Sequence, residues 1–486
     1  MEEGIVLTAP NEIQEGIKIL LQYGVAENKI NYIDKMKNGL IVNDCNFKNF
    51  PIDLLFTEFQ YKIKFINCIF NSLDCYCICK TKKNFFIFEN CKFNEFYLNN
   101  DQQFCDLFQL NNQMYFIHCI FSCNIHIGKS CVNNEIKFYN CKFNGIFSID
   151  FKECLNIFQL TECIFIEKVF IKGYFQDNIY FNNSHFKDYV DFHACEFEKT
   201  ASFYGVTFDK TPNFSQAVFK GNLNVVNTNL NFTFDDLQEK IKQEYKDFNK
   251  DKKEEYQKSL DKFANDFRDS FRTFKNALIK DNNFLEASNF HKYELYCKEL
   301  ELKNKKDKTL KDKIDKWQLS FYHKLCDHHT DILQSLNSLI LVIGIFVILS
   351  VVMVVGFNYR LGYKPILEHW YFSLDFYNHH INSTIQDNYL FMIVVNLIML
   401  FAYLILVGLA LCLKCIREFF IIISYGVTLF VLIVSPKILI PAMGFFTDKR
   451  AMLDPLSTIG GIYTIVFGFV VFSFIKTIRK NSIVPS

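Results

Sequence analysis

Phenylalanine and cysteine recur along the first half of the chain in a short motif: an apolar residue or Phe, two residues, Cys, one residue and Phe. An example runs from Phe65 to Phe70, with Cys68 between them. A helix repeats its apolar positions every 3 to 4 residues and a strand every 2, so the motif fits neither element continued over a long stretch. The units end at Phe47, Phe70, Phe93, Phe121, Phe143, Phe165 and Phe186, in steps of 23, 23, 28, 22, 22 and 21 residues.

After Phe186 the step halves to 11 residues, through Phe197, Phe208 and Phe219. Within each unit Cys and Phe are two residues apart, so both point to the same side of an extended segment. A turn after each segment winds the chain into a solenoid, with like residues stacked from coil to coil. The predicted solenoid core consists of Phe70, Phe93, Phe121, Phe143, Phe165, Phe197, Phe208, Phe219, Cys68, Cys91, Cys119, Cys141, Cys163 and Cys195.

These units resemble the pentapeptide-repeat family, whose repeats follow Ala-(Asp/Asn)-Leu-x-x. The resemblance is most regular from Phe181 to Leu230, and it implies a right-handed quadrilateral β-helix with the small residue and the Leu or Phe inside. The block from Phe267 to Lys275, followed by Glu286-Ala287 and Tyr293-Glu294, resembles the helical connector of bacterial membrane-anchored members. Some soluble members mimic DNA, but that role needs a strongly acidic rod, and residues 42 to 234 carry 19 acidic against 17 basic residues.

Beyond Leu230 the apolar spacing changes to 3, 4 or 8 residues, which predicts helices. The fold class is therefore a β-solenoid plus an α-helical stalk and a four-helix transmembrane region. The predicted domains are an N-terminal helical cap (1–41), the solenoid (42–234), a charged amphipathic helical stalk or hairpin (235–336) and a transmembrane domain of about four helices (337–480).

Four apolar segments are long enough to cross a bilayer. They are Asn337 to Phe357, Tyr389 to Leu413, Phe419 to about Ile440, and Leu456 to Ile475. Pro436, Lys437 and Pro441 interrupt the third segment, which leaves a kinked span or a re-entrant element open.

A basic collar precedes the first apolar segment, and we expect it to face the headgroups of membrane lipids. It consists of Lys303, Lys305, Lys306, Lys308, Lys311, Lys313 and Lys316. By the positive-inside rule, the collar predicts a multi-pass protein of the bacterial inner (cytoplasmic) membrane with both termini in the cytoplasm. In the last segment Ser457, Gly461, Thr464 and Gly468 share one helix face, which indicates helix packing within the chain or, alternatively, a homo-oligomer.

Charge and motif content argue against several function classes. The net charge is +1 and no arginine precedes Arg268, so we expect no nucleic-acid partner. Cys75, Cys77 and Cys79 alternate as a buried strand ladder would, whereas zinc ligands are spaced differently. We interpret Cys326-Asp327-His328-His329 and His379-His380 as exposed or capping residues. No nucleophilic triad or phosphate-binding loop is recognisable, so we expect no enzyme, no catalytic residue, no cofactor and no metal.

The pattern as a whole favours a membrane-anchored cytoplasmic solenoid acting as a protein-interaction scaffold for an unknown protein partner. Outward positions such as Lys92, Lys142, Glu196 and Thr207 are the contact candidates. The alternative is an ion channel or pore-forming membrane protein with the solenoid as a regulatory sensor. The loop from Asn358 to Asn388 lacks a potassium-filter sequence, which speaks against that alternative.

Overall fold

The computed structural model describes residues 11–33, 39–51, 62–75, 85–98, 108–250, 252–253, 256–362, 374–434 and 454–481. The chain forms two compact units, Met1–Asp307 and Lys308–Ser486. The boundary between them falls inside the segment predicted as a helical stalk or hairpin, 235–336.

Three sheets run along the solenoid of the first unit, and every strand pair within them is parallel except the first pair of sheet A. Sheet A consists of Ile30–Ile33, Gly39–Asn43, Lys62–Ile66, Phe85–Glu89, Gln113–Ile117, Ile136–Tyr139, Phe158–Thr161, Ile179–Tyr180, Ala201–Ser202 and Leu223–Asn224. Sheet B consists of Asn46–Phe47, Ile69–Phe70, Lys92–Phe93, Ile120–Phe121, Lys142–Phe143, Ile164–Phe165, His185–Phe186, Thr207–Phe208 and Asn229–Leu230. Sheet C consists of Phe50–Pro51, Leu73–Cys75, Phe96–Leu98, Phe108–Leu110, Ile125–Val132, Phe147–Cys154, Val169–Phe175, Val190–Asp191, Glu196–Phe197 and Val218–Phe219.

Stacked phenylalanine rings fill the inside of sheet B, because the strand register aligns the same position of each coil. The ring centroids of successive residues are 4.7 to 5.4 Å apart, with interplanar angles of 5° to 9°. Such offset pairs add about 0.5–1.5 kcal/mol each beyond the burial of their area. The column consists of Phe47, Phe70, Phe93, Phe121, Phe143, Phe165, Phe186 and Phe208.

A helix and an antiparallel strand cover the first coil. Helix α1 spans Asn11–Gln22, and its Ile17 and Leu20 are buried in the solenoid core. A 3-10 turn at Glu27–Lys29 leads into Ile30–Ile33, which pairs antiparallel with the first parallel strand of sheet A. The unpaired backbone groups of an exposed strand edge can pair with other chains. This strand pairs with the edge at the first coil and so prevents that association.

Three helices pack on the last coils: α2 (Phe234–Asn249), α3 (Leu260–Lys280) and α4 (Phe284–Asn304). Thr233 and Asp236 form a capping box that starts α2. The Phe274 ring of α3 lies 4.6 Å from that of Phe214, and the Tyr293 hydroxyl of α4 donates a 2.8 Å hydrogen bond to the Phe232 carbonyl. The helices α3 and α4 form the predicted hairpin, and together with α2 they belong to the same compact unit as the solenoid.

The second unit contains helices only, within the residues that the structure describes. They are α5 (Leu310–Cys326), α6 (Ile332–Arg360), α7 (Leu374–Asp387), α8 (Tyr389–Cys412), α9 (Lys414–Val434) and α10 (Pro455–Asn481). The helices α6, α8 and α10 are long and apolar enough to cross a membrane. Phe346 of α6 and Tyr463 of α10 stack with their ring centroids 4.0 Å apart in the buried core.

The prediction of four spans is therefore corrected to three candidate spans among the described residues. The third apolar segment forms α9, whose first two turns carry the charged residues Lys414, Arg417 and Glu418 and leave only a short uncharged stretch. Residues 435–453, with the predicted kink at Pro436 and Pro441, lie outside the described residues.

Candidate functional site

A residue with positive φ precedes each position of the small-residue column that follows sheet A. Non-glycine residues tolerate this left-handed conformation poorly, with Asn and Asp as the usual exceptions. This explains why Asn often precedes Cys in the motif, as at Asn67, Asn90 and Asn140. The column residues and their predecessors are Asp44-Cys45, Asn67-Cys68, Asn90-Cys91, His118-Cys119, Asn140-Cys141, Glu162-Cys163, Asn183-Ser184, Gly205-Val206 and Asn227-Thr228.

Cysteine thiols in this column hydrogen-bond the backbone of the previous coil. The Cys119 thiol donates to the Phe88 carbonyl at 3.3 Å, and the Cys141 thiol donates to the Phe116 carbonyl at 3.3 Å. Further along, the Ser184 hydroxyl donates to the Leu160 carbonyl at 2.8 Å. A small side chain with one donor therefore fits the position, and Cys and Ser serve the same purpose there.

Burial keeps two solenoid thiols protonated: Cys91 of this column and Cys154 at the end of a sheet C strand. The hydrogen bond with Cys119, together with burial, raises the pKa of Cys91 to about 12, and burial raises the pKa of Cys154 to about 12. None of the cysteines whose thiol the structure describes forms a disulfide bond. A thiol needs to ionise in order to attack an electrophile or bind a metal, so these two thiols are chemically inert at neutral pH.

The predicted core residues lie inside the solenoid, in two groups. The phenylalanines from Phe70 to Phe165, together with Phe208, line sheet B, and the cysteines from Cys68 to Cys163 line the column beside it. Phe197 and Phe219 line sheet C. The 11-residue step is therefore half a coil. Phe219 is half-buried, and the other predicted core residues are buried: Phe70, Phe93, Phe121, Phe143, Phe165, Phe197, Phe208, Cys68, Cys91, Cys119, Cys141, Cys163 and Cys195.

The outward side of sheet B is a regular surface without carboxylates over four consecutive coils, which we name the amide face. Its central column alternates between isoleucine and lysine, and six asparagines flank that column. Asn94 donates a 2.7 Å hydrogen bond to Asn71, which orders the amide row. The amide face consists of Asn67, Ile69, Asn71, Asn90, Lys92, Asn94, His118, Ile120, Ser122, Asn140, Lys142 and Asn144.

The predicted contact candidates do not share one surface. Lys92, Lys142 and Thr207 lie on the outward side of sheet B. Glu196 lies on sheet C, where its carboxylate is 3.6 Å from the Lys220 ammonium. The structure therefore separates Glu196 from the other three.

The connector-like block forms a buried ion network between α3 and α4. Glu294 accepts hydrogen bonds from Arg272 at 2.9 Å and Lys275 at 2.7 Å, and its carboxylate lies 3.1 Å from the His291 ring nitrogen. Burial by itself would raise the pKa of Glu294, but these partners outweigh burial and hold it well below its usual range. The block thus fixes the helical hairpin.

Cys326 and His328 are buried, so the interpretation of the group from Cys326 to His329 as exposed residues is wrong for these two, whereas Asp327 caps the end of α5. The Ser473 hydroxyl donates to the Cys326 thiol at 3.1 Å, and the Cys326 sulfur lies 3.4 Å from the His329 ring nitrogen, so this group links two helices of the second unit. His379 and His380 lie on α7 with ring centroids 4.9 Å apart. Of the Cys75, Cys77 and Cys79 group, the latter two lie outside the described residues.

The small-residue face of α10 is not packed against this chain along its whole length. Gly468 is exposed, with no atom within 4 Å of the position a Cβ would take. Ile459, Tyr463 and Val470 are the apolar α10 residues in the buried core of the second unit. Within the described residues, packing therefore does not account for Gly468.

The basic collar lies partly on helix α5 of the second unit. Lys311, Lys313 and Lys316 lie on that helix, and Lys303 lies at the end of α4. Lys305, Lys306 and Lys308 lie in the segment between the two helices.

Comparison with protein families matches residues 181–229 to the family described as "Pentapeptide repeats (9 copies)". The matched stretch lies inside the solenoid and ends at the last coil. The chain therefore contains a pentapeptide-repeat domain. No curated protein and no solved structure matches the chain.

The pentapeptide-repeat match covers the most regular coils. There Phe181, Phe192, Phe203 and Phe214 stack in pairs, as Phe181 on Phe203 at 5.0 Å and Phe192 on Phe214 at 4.7 Å. Earlier coils keep the ring column of sheet B, but two of their sheet C strands are eight residues long, which dilutes the five-residue sequence repeat. The 28-residue step from Phe93 to Phe121 is the longest between rings of that column.

Proposed function

We propose that this protein is a membrane-associated scaffold whose solenoid binds a partner protein through the amide face. The observation that carries the proposal is the regularity of that face, where exposed Ile69, Lys92, Ile120 and Lys142 are held at fixed intervals by parallel strand pairing. Ile69 and Ile120 keep 39% and 42% of their surface exposed. Repeated outward positions on stacked coils give solenoids extended binding surfaces.

Charge defines the chemistry of the partner. Lys92 and Lys142 are two coils apart, so about 10 Å separates them along the solenoid. No carboxylate lies among the twelve residues of the amide face. The face therefore suits a protein surface that presents two acidic side chains at this distance with an apolar residue between them.

Crosslinking from the middle of the face tests the proposal. A photoreactive amino acid at Ile120 in the full-length protein, irradiated in native membranes, is expected to give a discrete protein adduct. The double variant Lys92→Glu, Lys142→Glu should abolish the adduct by charge repulsion. The matched variant Lys129→Glu, Lys152→Glu changes two exposed lysines of sheet C and should retain it.

A photoreactive amino acid at His126, on the outward side of sheet C, measures the yield of nonspecific crosslinking. Adducts of equal yield from His126 and Ile120, or an Ile120 adduct that survives the double charge reversal, would contradict docking on the amide face. Circular dichroism of each variant establishes that the solenoid is folded.

The resemblance to the pentapeptide-repeat family supports the finer aspects of this proposal. We infer a right-handed, four-sided solenoid, non-enzymatic and cytoplasmic, on a multi-pass inner-membrane protein with both termini in the cytoplasm. The lysines that precede α5 and lie on it support that orientation through the positive-inside rule.

A further inference from the structure

Helix α5 carries an apolar stripe that no part of the described chain covers. Leu310, Ile314 and Trp317 keep 78%, 62% and 70% of their surface exposed. They are spaced 4 and 3 residues apart, so they lie on one helix face. Phe321, four residues after Trp317, lies on the same face but is half-buried against the core of the second unit, so it ends the exposed stripe. The Trp317 and Phe321 rings stack with centroids 5.6 Å apart.

Lysines flank the stripe. On an ideal helix, Lys313 and Lys324 lie along one border of the stripe and Lys311 lies along the other. All three side chains are exposed. The acidic Asp312 is part of a capping box with Thr309 at the start of the helix, where its charge complements the helix dipole. The stripe is thus bordered by cationic side chains.

The C-terminal end of α5 is fixed to the first turns of the candidate span α6 and of the helix α9. Its last carbonyl groups accept hydrogen bonds from side chains of α6 and α9: Gln334 donates to Lys324 at 2.9 Å, Ser338 donates to Leu325 at 2.8 Å, and Arg417 donates to Lys324 at 3.1 Å. A charged Arg417 is costly within hydrocarbon, so this end of the helices belongs at the membrane surface.

We propose that α5 lies in the plane of the membrane surface, with its apolar stripe inserted between lipids and its lysines bound to anionic headgroups. Tryptophan is favoured at this level, and lysines extend from an apolar stem towards the headgroups. The helix is about 25 Å long, and its three exposed apolar side chains, Leu310, Ile314 and Trp317, can insert together. This inference goes beyond docking on the amide face and does not depend on it.

The chain has two tryptophans, so Trp370→Phe leaves Trp317 as a single fluorescent probe in the full-length protein. The variant is reconstituted into phosphatidylcholine vesicles with and without anionic phosphatidylglycerol. We expect a blue-shifted Trp317 emission that is quenched by lipids brominated near the headgroup and protected from aqueous iodide. The shift should be larger with phosphatidylglycerol.

Charge removal tests the headgroup contact. In the Trp370→Phe background, Lys311→Gln, Lys313→Gln and Lys324→Gln together should remove the phosphatidylglycerol-dependent part of the shift. Each lysine near an anionic surface corresponds to about a fivefold change in binding. The matched triple variant Lys129→Gln, Lys152→Gln, Lys168→Gln neutralises three exposed lysines of the first unit and should leave the shift unchanged.

Three outcomes would overturn the inference. Iodide quenching of Trp317 at the level of free tryptophan would place the stripe in water. Protection from both iodide and brominated lipid would mean that protein, such as a second copy of this chain, covers it. An identical emission in both lipid compositions, unchanged by the triple α5 variant, would exclude anionic headgroups as the ligand.

Discussion

Single residues in the left-handed conformation determine where each solenoid side turns into the next. Asn140, with a φ of 50°, precedes the column residue Cys141. Its polar side chain tolerates this conformation, and a β-branched side chain does not. The Asn-Cys pair in the sequence therefore encodes a turn as well as a buried thiol.

Asn140→Val is expected to destabilise the solenoid by about 1–2 kcal/mol, the typical cost of the left-handed conformation for a side chain with a Cβ. In a domain of this size that loss lowers the Tm by roughly 2–8 °C. Asn140→Gly should restore the Tm to near its original value. Thermal unfolding followed by circular dichroism at a β-sheet wavelength measures the change.

Lys142→Val serves as the control for this substitution, since Lys142 is an exposed strand residue two positions later where valine is well tolerated. Equal Tm losses for Asn140→Val and Lys142→Val would show that the left-handed conformation is not the cause.

The ring and thiol columns are the elements that the sequence predicts best. The spacing of Phe47, Phe70, Phe93 and Phe121 alone gives the strand register, because each coil needs one aromatic ring at the same place. The 11-residue spacing does not predict that alternate phenylalanines lie on different sheets, with Phe208 on sheet B and Phe197 and Phe219 on sheet C. That depends on turns between sheets, where residue identity varies and only backbone conformation is shared.

The thiols should make stability fall at high pH. In the unfolded chain a cysteine ionises above about pH 8.5, whereas Cys91 and Cys154 stay protonated in the fold until about pH 12. Their contribution is complete below pH 8.5 and is lost as pH rises towards 12, at a limiting slope of about 1.4 kcal/mol per pH unit for each thiol.

The measurement is the Tm between pH 7.5 and 10. Cys91→Ser, Cys154→Ser removes two of the titrating groups and should flatten the decline. Serine fits at Cys91 because it already occupies position 184 of the same column, and Cys154 lies at the end of a sheet C strand, where serine is a small polar replacement of similar size. An unchanged slope in the double variant would refute the role of these thiols.

At the scale of the whole molecule, the chain has two separate cores. The buried core of the first unit ends at Leu300, and that of the second begins at Leu325. The sequence periodicity predicts helices in this region but does not predict where the boundary between the two units lies. An amphipathic pattern indicates that one face of a helix is buried, but it does not indicate which element covers that face. The first unit contains the helices α2 to α4 as well as the solenoid.

Limited trypsin digestion of the protein in open membranes should therefore cleave first between Asn304 and Leu310, where three lysines lie between helices α4 and α5. We expect a folded fragment of the first unit in the soluble fraction, while the second unit sediments with lipid. Mass spectrometry of both fractions locates the cut. Early cleavage inside residues 108–250, or retention of the intact first unit on the membrane after an alkaline wash, would contradict the independence of the two units.

The parallel ladders of the solenoid also have a mechanical consequence. Phe143 and Phe165 occupy equivalent places 22 residues apart, so each coil is a closed loop held only by the coils before and after it. A force that pulled on one end would unwind coils one after another, each releasing about 75 Å of extended chain. Under load the solenoid would then lengthen in steps of one coil each, and the coils that remain folded would keep their surfaces.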